Sequence, residues 1–346
     1  MFAAGRFRSV AAFRGAYRGF DRFQRRHGWL GFVLAVRQKY ADDQGGYLAA
    51  TLTCYAFFSV FPLLLLLVTG LGFALSGDVS LQRRVLHSVL TQFPIIGPQL
   101  QRNVHSLRGS GVALGIGIAG SLWAGMGVVL AAQNAMNHLW DVPFRDRPNP
   151  IVARWRALWL LLVFGVAGLL ATGLASVAGG SSSWGVRTVG AALSLPVNFL
   201  IFWAGFRVLT VRDVGWRDLR LGAAIAATMW VLLQALGGYY VTHELRYQTS
   251  VYGFFGIVLG LLSWLYVGAT VTLLAAEANV VAQGRLWPRS FSVVTEQAPT
   301  GADKRTLTEQ STVEERRQDQ DITVTFTDPG EHPPASNDHG QRDDRA

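Results

Sequence analysis

The chain has 346 residues, 50% of them hydrophobic and only 15% charged, too little charge to give a globule of this size a water-facing surface. Its formal net charge of +9 is unevenly placed: residues 1–285 carry 24 Lys+Arg against 10 Asp+Glu, and residues 286–346 carry 7 against 12. The basic residues lie scattered between apolar blocks without a reader motif, so no nucleic-acid partner is expected, and Cys54, the single cysteine, leaves no intramolecular disulfide and no thiolate metal cluster.

Residues 1–45 read as a basic cytoplasmic segment. Seven arginines run through Phe2 to Arg26 and leave no continuous apolar core for a cleavable leader. On a helical wheel Val10, Phe13, Tyr17, Phe20 and Phe23 share one side, and Arg14, Arg18, Arg22, Arg25 and Arg26 the other. Such a helix lies either in the headgroup layer of an anionic membrane or against the protein's own cytoplasmic face.

A membrane helix needs roughly 20 apolar residues to cross about 30 Å of hydrocarbon. Uncharged runs at about 47–75, 111–133, 157–180, 188–206, 221–242 and 251–276 meet or nearly meet that length. The expected fold is therefore all-α and polytopic, with six transmembrane helices in a membrane domain spanning residues 46–284. With the amino terminus inside, 17 Lys+Arg fall on the cytoplasmic side, against 6 outside (Arg83, Arg84, Arg102, Arg108, Arg187 and Arg246). The Lys/Arg bias thus predicts both termini in the cytoplasm of a bacterial inner membrane. Between the first two runs, 79–90 and 99–107 carry helical spacing around a Pro-Gly-Pro break, which predicts two short amphipathic helices in the first external loop. Residues 285–346 form an acidic tail without a core-forming period, expected to be cytoplasmic and disordered.

Several segments together resemble the YihY/BrkB family of membrane proteins, once described as ribonuclease BN. The first run holds small residues, Tyr55 and a Ser59-x-x-Pro62 step; the second exits through Gln133-Asn134-Ala135-Met136-Asn137-His138-Leu139-Trp140. Trp216-Arg217 leads into the Gly222 run, followed by Tyr239-Tyr240, Tyr252-Gly253, Trp264-Leu265-Tyr266 and Ala275-Ala276-Glu277-Ala278-Asn279. The resemblance covers roughly residues 25–284. It departs from the family at Ala275, where Gly is common, which weakens any claim that close backbone approach is needed there.

Glu277 stands as the one acid in or against an expected run, and such a group is costly unless paired, hydrated or functional. With Asn279 it binds a proton, a cation or a polar headgroup; alternatively it pairs with an arginine such as Arg207 or Arg156. Tyr55, Ser59 and Pro62 either line a substrate path at a broken helix or mark an ordinary kink. Gln133, Asn134 and Asn137 either line a polar vestibule or tie neighbouring helices. Arg145, Arg147, Arg154, Arg156, Arg212 and Arg217 are candidate contacts for anionic lipid headgroups, although positive-inside topology already asks for them. Trp140, Trp155, Trp159, Trp216, Tyr239, Tyr240 and Tyr252 sit near run ends as interface anchors.

The seven histidines are dispersed, and His138 with Asp141 makes two ligands at most. No nucleophile elbow or phosphate-cradling loop appears. No enzyme activity, metal or cofactor is therefore expected, and a ribonuclease has the least support. The leading expectation is a transporter or flippase-like handler of a lipid or amphipathic anion. The alternative is an envelope-assembly partner in resistance or virulence, with unidentified proteins recruited through the tail.

Overall fold

The computed structural model describes residues 28–74, 111–161, 163, 184–243, 253–290 and 299–326. In chain order the helices are α1 (Gly28–Asp42), α2 (Gly45–Ala74), α3 (Gly111–Leu139), α4 (150–161), α5 (Trp184–Leu209), α6 (Arg220–His243), α7 (Gly253–Gly284) and α8 (Gly301–Thr312). No strand occurs among the described residues. The all-α expectation therefore holds for them.

The expectation of six spanning helices does not hold. Among the described residues three helices are long and apolar enough to cross a membrane: Gly45–Leu63 in α2, Gly115–Leu139 in α3 and Val258–Gly284 in α7. In α5 and α6 the apolar stretches Ser194–Leu209 and Arg220–Gln234 are shorter. Absence of charge does not by itself make a run apolar enough, because a span needs high hydropathy sustained over roughly 20 residues. Most of the run at 157–180 lies outside the described residues, as do the amino-terminal segment up to residue 27 and the two short helices expected at 79–90 and 99–107.

Large apolar side chains point outward along these helices: Phe58 and Phe61 on α2, Ile116 and Trp123 on α3, Phe255 and Leu259 on α7. Lipid is the medium that such faces require. Hydroxyls do not go to waste in it. Thr53 donates to the Ala49 carbonyl (2.7 Å), Ser59 to Ala56 (2.7 Å) and Thr272 to Gly268 (2.8 Å).

The tight packing gathers at one end of the bundle, where α2 and α6 begin and α3, α5 and α7 finish. Its core is rich in alanine, with Ala35, Ala49, Ala135, Ala223, Ala226 and Ala275 all buried beside Met136, Leu139, Trp140 and Leu273. Small side chains let helix backbones approach closely, which suits association in a solvent as apolar as leucine. Trp140, expected at the interface, is one of these core residues at 2% exposure. Trp155 and Trp159 are exposed.

The tail departs from the expected disorder between residues 299 and 326. A capping box starts α8, with the Thr300 side chain accepting from Asp303 N and the Asp303 side chain accepting from Thr300 N. The segment then fastens to the membrane body. Arg289 reaches Asp42 (2.7 Å) and Asp303 (3.2 Å), Gln310 donates to Asp43 Oδ1 (2.9 Å), and Arg145 pairs with Glu315 (2.8 Å). Backbone N–H groups of Phe144 and Arg145 donate to the carbonyls of Val313 and Glu315. Burial pushes the Asp303 carboxyl up, but hydrogen bonds from Ser290 and Thr300 outweigh it and hold the carboxyl below its usual range. Composition could not announce this, because the tail's partners are Asp42, Asp43, Arg145 and loop amides and not an apolar face. Replacing Arg145 and Arg289 together by alanine is expected to release α8 and raise the rate of limited proteolysis within residues 299–326 at least about tenfold, as expected for loss of roughly 1.5–3 kcal/mol from charge-assisted bonds. Unchanged cleavage would show that the tail is held by other contacts.

Candidate functional site

Three breaks in the helices meet at the packed end of the bundle. α1 ends in a turn where Gln44 takes a φ of 52°, and α7 ends at Arg285 with a φ of 49°. α3 ends at Asp141, with a φ of 48°, and the Val142 N–H closes back onto the Asn137 carbonyl (2.9 Å). Glycine usually fills that left-handed position, and aspartate is among the few other residues that tolerate it. Its occupation by Asp141 turns a carboxylate back toward α1.

Lys39 on α1 receives it. The ammonium, fully buried, lies 2.9 Å from Asp141 Oδ2 and 2.5 Å from Asp43 Oδ2, and it donates to the Leu139 carbonyl at the end of α3 (3.3 Å). The bonds to Asp43 and Leu139 are aligned, whereas the contact to Asp141 is an off-axis ion pair. Burial works to lower the Lys39 pKa, but the carboxylates of Glu277, Asp43 and Asp141 outweigh it and the net shift is upward. Lys39 therefore stays charged, and its contribution to stability is lost only when pH rises through that raised value.

Glu277, on the last turns of α7, completes the cluster. It is fully buried and electrostatically coupled to Lys39, Asp43 and Asp141. Neither of its carboxylate oxygens meets a donor. The arginines named as its partners are elsewhere: Arg207 pairs with Asp213 (2.8 Å), and Arg156 donates to the carbonyls of Val208 and Thr210.

Burial pushes the Asp141 carboxyl up to about 6 despite Lys39, with Asp43 adding to the rise. Between its usual value and about 6 the folded form binds more protons than the unfolded chain, so this group's stability is present in acid and lost as pH rises through that window. The rise is worth at most about 3 kcal/mol. Wild type is therefore expected to lose melting temperature relative to Asp141→Asn between about pH 4 and about pH 6 in detergent. A gap between the two that is flat with pH would remove Asp141 as the titrating group.

Two of the asparagines hold backbone. Asn279 Oδ1 accepts from Gly222 N (2.6 Å) at the first turn of α6, and Asn137 Oδ1 accepts from Val211 N (3.3 Å) in the α5–α6 loop. Both satisfy amides that would otherwise be stranded at a buried helix end or turn. Gln133 is buried with its Nε2 unpartnered, and the exposed Asn134 accepts from Arg147 (3.2 Å). Tyr55 and Pro62 are not part of the cluster. They contact α3 instead, Pro62 against Gly120 and Tyr55 against Gly127, and α2 runs on through Pro62.

Of the six candidate headgroup arginines, Arg145 is taken by the tail, Arg147 donates to Val142 O (3.2 Å), Arg156 to the carbonyls named above, and Arg212 to Trp140 O (3.1 Å). Arg154 and Arg217 remain exposed. Lys39 and Asp43 escaped the reading of the sequence, which met Asp141 only beside His138 as a possible metal ligand. The available signal was the Lys39–Asp43 spacing of four residues, the rarity of lysine in the chain, and an acid directly after an apolar helix.

Beside the cluster opens a groove of about 800 Å³ between α1, the start of α2, α6 and α7. Its walls are mainly apolar, from Phe32, Val33, Ile225 and Leu274, and the exposed Arg37 stands among them. Tyr40 and Ala278 line it on the side of Glu277.

An α-helical bundle with lipid-facing apolar surfaces and several long apolar helices defines a multi-pass membrane protein. Residues 36–292 match the family described as Virulence factor BrkB, and the chain belongs to this YihY/BrkB family. It is 29% identical over 187 residues to a UPF0761 membrane protein, RSc1559, of Ralstonia nicotianae, covering 51% of this chain and 42% of that one. Over 249 residues it is 26% identical to a UPF0761 membrane protein of Cronobacter sakazakii, covering 69% and 84%. Over 271 residues it is 23% identical to YfkH of Bacillus subtilis, a protein named as ribonuclease-like, covering 74% and 96%. The chain thus spans less than half of the Ralstonia protein and most of the other two. No solved structure matches it.

Proposed function

We propose that this protein moves or reorients a lipid or other amphipathic anion across the inner membrane. The groove carries the reading, because it offers apolar walls to an acyl chain and, at Arg37, a cation to its headgroup. Arg37 has no ion pair among the described residues, so its charge is free for a ligand. The packed end of the bundle, bearing Arg145, Arg154, Arg207, Arg217 and Arg289, is the cytoplasmic face on this reading, in keeping with the positive-inside rule. Arg154 and Arg217 there gather anionic headgroups at that face.

The test is translocation of a fluorescent phosphatidylglycerol in proteoliposomes, together with leaflet lipid analysis of a deletion strain. Arg37→Glu is expected to slow translocation at least about tenfold, the consequence of replacing a roughly 1.4 kcal/mol attraction by repulsion. Wild-type vesicles no faster than protein-free ones would sink the proposal.

The envelope-partner reading draws on the acidic residues of the tail. Part of that tail is committed to α1 and the α3–α4 loop, so recruitment falls to the residues that follow. Deleting the chain after Ser290 separates the two readings: translocation persists if the membrane body acts alone. A ribonuclease needs a means of activating water at a phosphodiester. Among the described residues no three His, Cys, Asp or Glu side chains stand where they would hold a metal ion, and that reading has the least support.

A further inference from the structure

Glu277 has no accessible surface and no donor on either oxygen. The titratable groups that face it are Lys39 and Tyr40 from α1, Asp43 from the turn after α1, and Asp141 from the end of α3. The ammonium of Lys39 has three hydrogens, and its nearest acceptors are Asp43 Oδ2, Asp141 Oδ2 and the Leu139 carbonyl. Two are aligned on Asp43 and Leu139, and no bond from this ammonium reaches Glu277. The other oxygen of Asp43 is occupied by Gln310.

Three ionised carboxylates around one ammonium would leave two negative charges in a buried cluster. Uncompensated buried charge costs several kcal/mol per ion, so the cluster needs a further positive charge. A metal ion would require oxygens converging on an open centre, and Lys39 already fills the middle of this one. The carboxyls of Glu277 and Asp43 lie against each other. Two carboxyls in contact form a hydrogen bond only when one of them holds a proton, as in paired carboxylate sites elsewhere.

We infer that Glu277 is a proton-binding carboxyl that faces Asp43, with Lys39 as the fixed counter-ion and Asp141 as the anchor of Lys39. A proton taken up on one carboxylate oxygen is donated in a hydrogen bond to the facing carboxylate. Its release restores repulsion between α7 and the end of α1. Tyr40 and Ala278 border both this pair and the groove, so protonation and groove occupancy bear on the same α1–α7 contact. That coupling rests on the lipid-handling reading; the proton site does not.

Infrared difference spectroscopy of the full chain in phosphatidylethanolamine and phosphatidylglycerol nanodiscs tests it directly, across a pH titration. With Asp141→Asn as the background, so that the Asp141 carboxyl does not contribute, the chain is expected to give the C=O band of a protonated carboxylic acid, moved down in D2O, titrating with pH and lost on adding Glu277→Gln. In Asp43→Asn, which keeps the shape of the pair, the band is expected to persist with a shifted frequency and midpoint. This variant also serves if Glu277→Gln does not fold. Arg37→Glu is expected to leave the band unchanged even where it abolishes translocation, so that failure of lipid handling and failure of the proton site are told apart. No such band in that background, a band that Glu277→Gln and Asp43→Asn leave untouched, or a band removed by sodium or potassium at constant pH overturns the inference.

Discussion

Lys39→Met is expected to destabilise the membrane body by about 3–5 kcal/mol, the range for removing one partner of a buried ion pair. Methionine matches the lysine stem in length and flexibility, so the substitution isolates the charge. What it leaves behind is Asp43, Asp141 and Glu277 facing one another without a cation, and an α3 terminus without the donor on its Leu139 carbonyl. The loss reads out as a lower melting temperature of the detergent-solubilised protein, followed by intrinsic tryptophan fluorescence. Adding Asp141→Asn to Lys39→Met should return part of it, because sites sharing a network are non-additive by roughly 0.5–3 kcal/mol. A Lys39→Met protein that melts with wild type would mean that the cluster is not held together by this charge.

Gly222→Ala is expected to cost about 3 kcal/mol or more, above the usual 1–3 for overpacking, because rigid backbone stands in the way. A Cβ there would lie 2.1 Å from the Ala275 carbonyl oxygen and 2.4 Å from Asn279 Nδ2. Relief requires α6 to move off α7, which breaks the 2.6 Å bond from Gly222 N to Asn279. Gly115→Ala on α3 is the control: nothing lies within 4 Å of its Cβ position, and alanine should there gain up to about 1 kcal/mol of helix propensity. The temperature at which half the protein is lost from the monodisperse peak in size-exclusion chromatography orders the two variants against wild type. Equal values for Gly222→Ala and wild type would remove the close contact as a structural requirement.

Gly222 also corrects the reading of Ala275. The family's usual glycine is absent at that point of α7, which weakened any claim that close approach of backbones is needed there. The approach occurs nonetheless, because the glycine is supplied by the facing helix. A contact between two helices needs space on one side only, and a linear motif records just one side.

The sequence alone determined the solvent, the helical class and the family, because long charge-free runs and the order of motifs along the chain are one-dimensional facts. It singled out Glu277 for the same reason, a lone acid against an apolar run. It expected six spans where three helices among the described residues are long and apolar enough, since an absence of charge does not say how apolar a stretch is. It also missed that the tail docks, because α8 is held by ion pairs and backbone amides whose partners lie far away in sequence. Only the tertiary structure decided what Glu277 faces. Lys39, Asp43 and Asp141 come from two other helix ends, and the balance of charge among them depends on distance, which no spacing along the chain can encode.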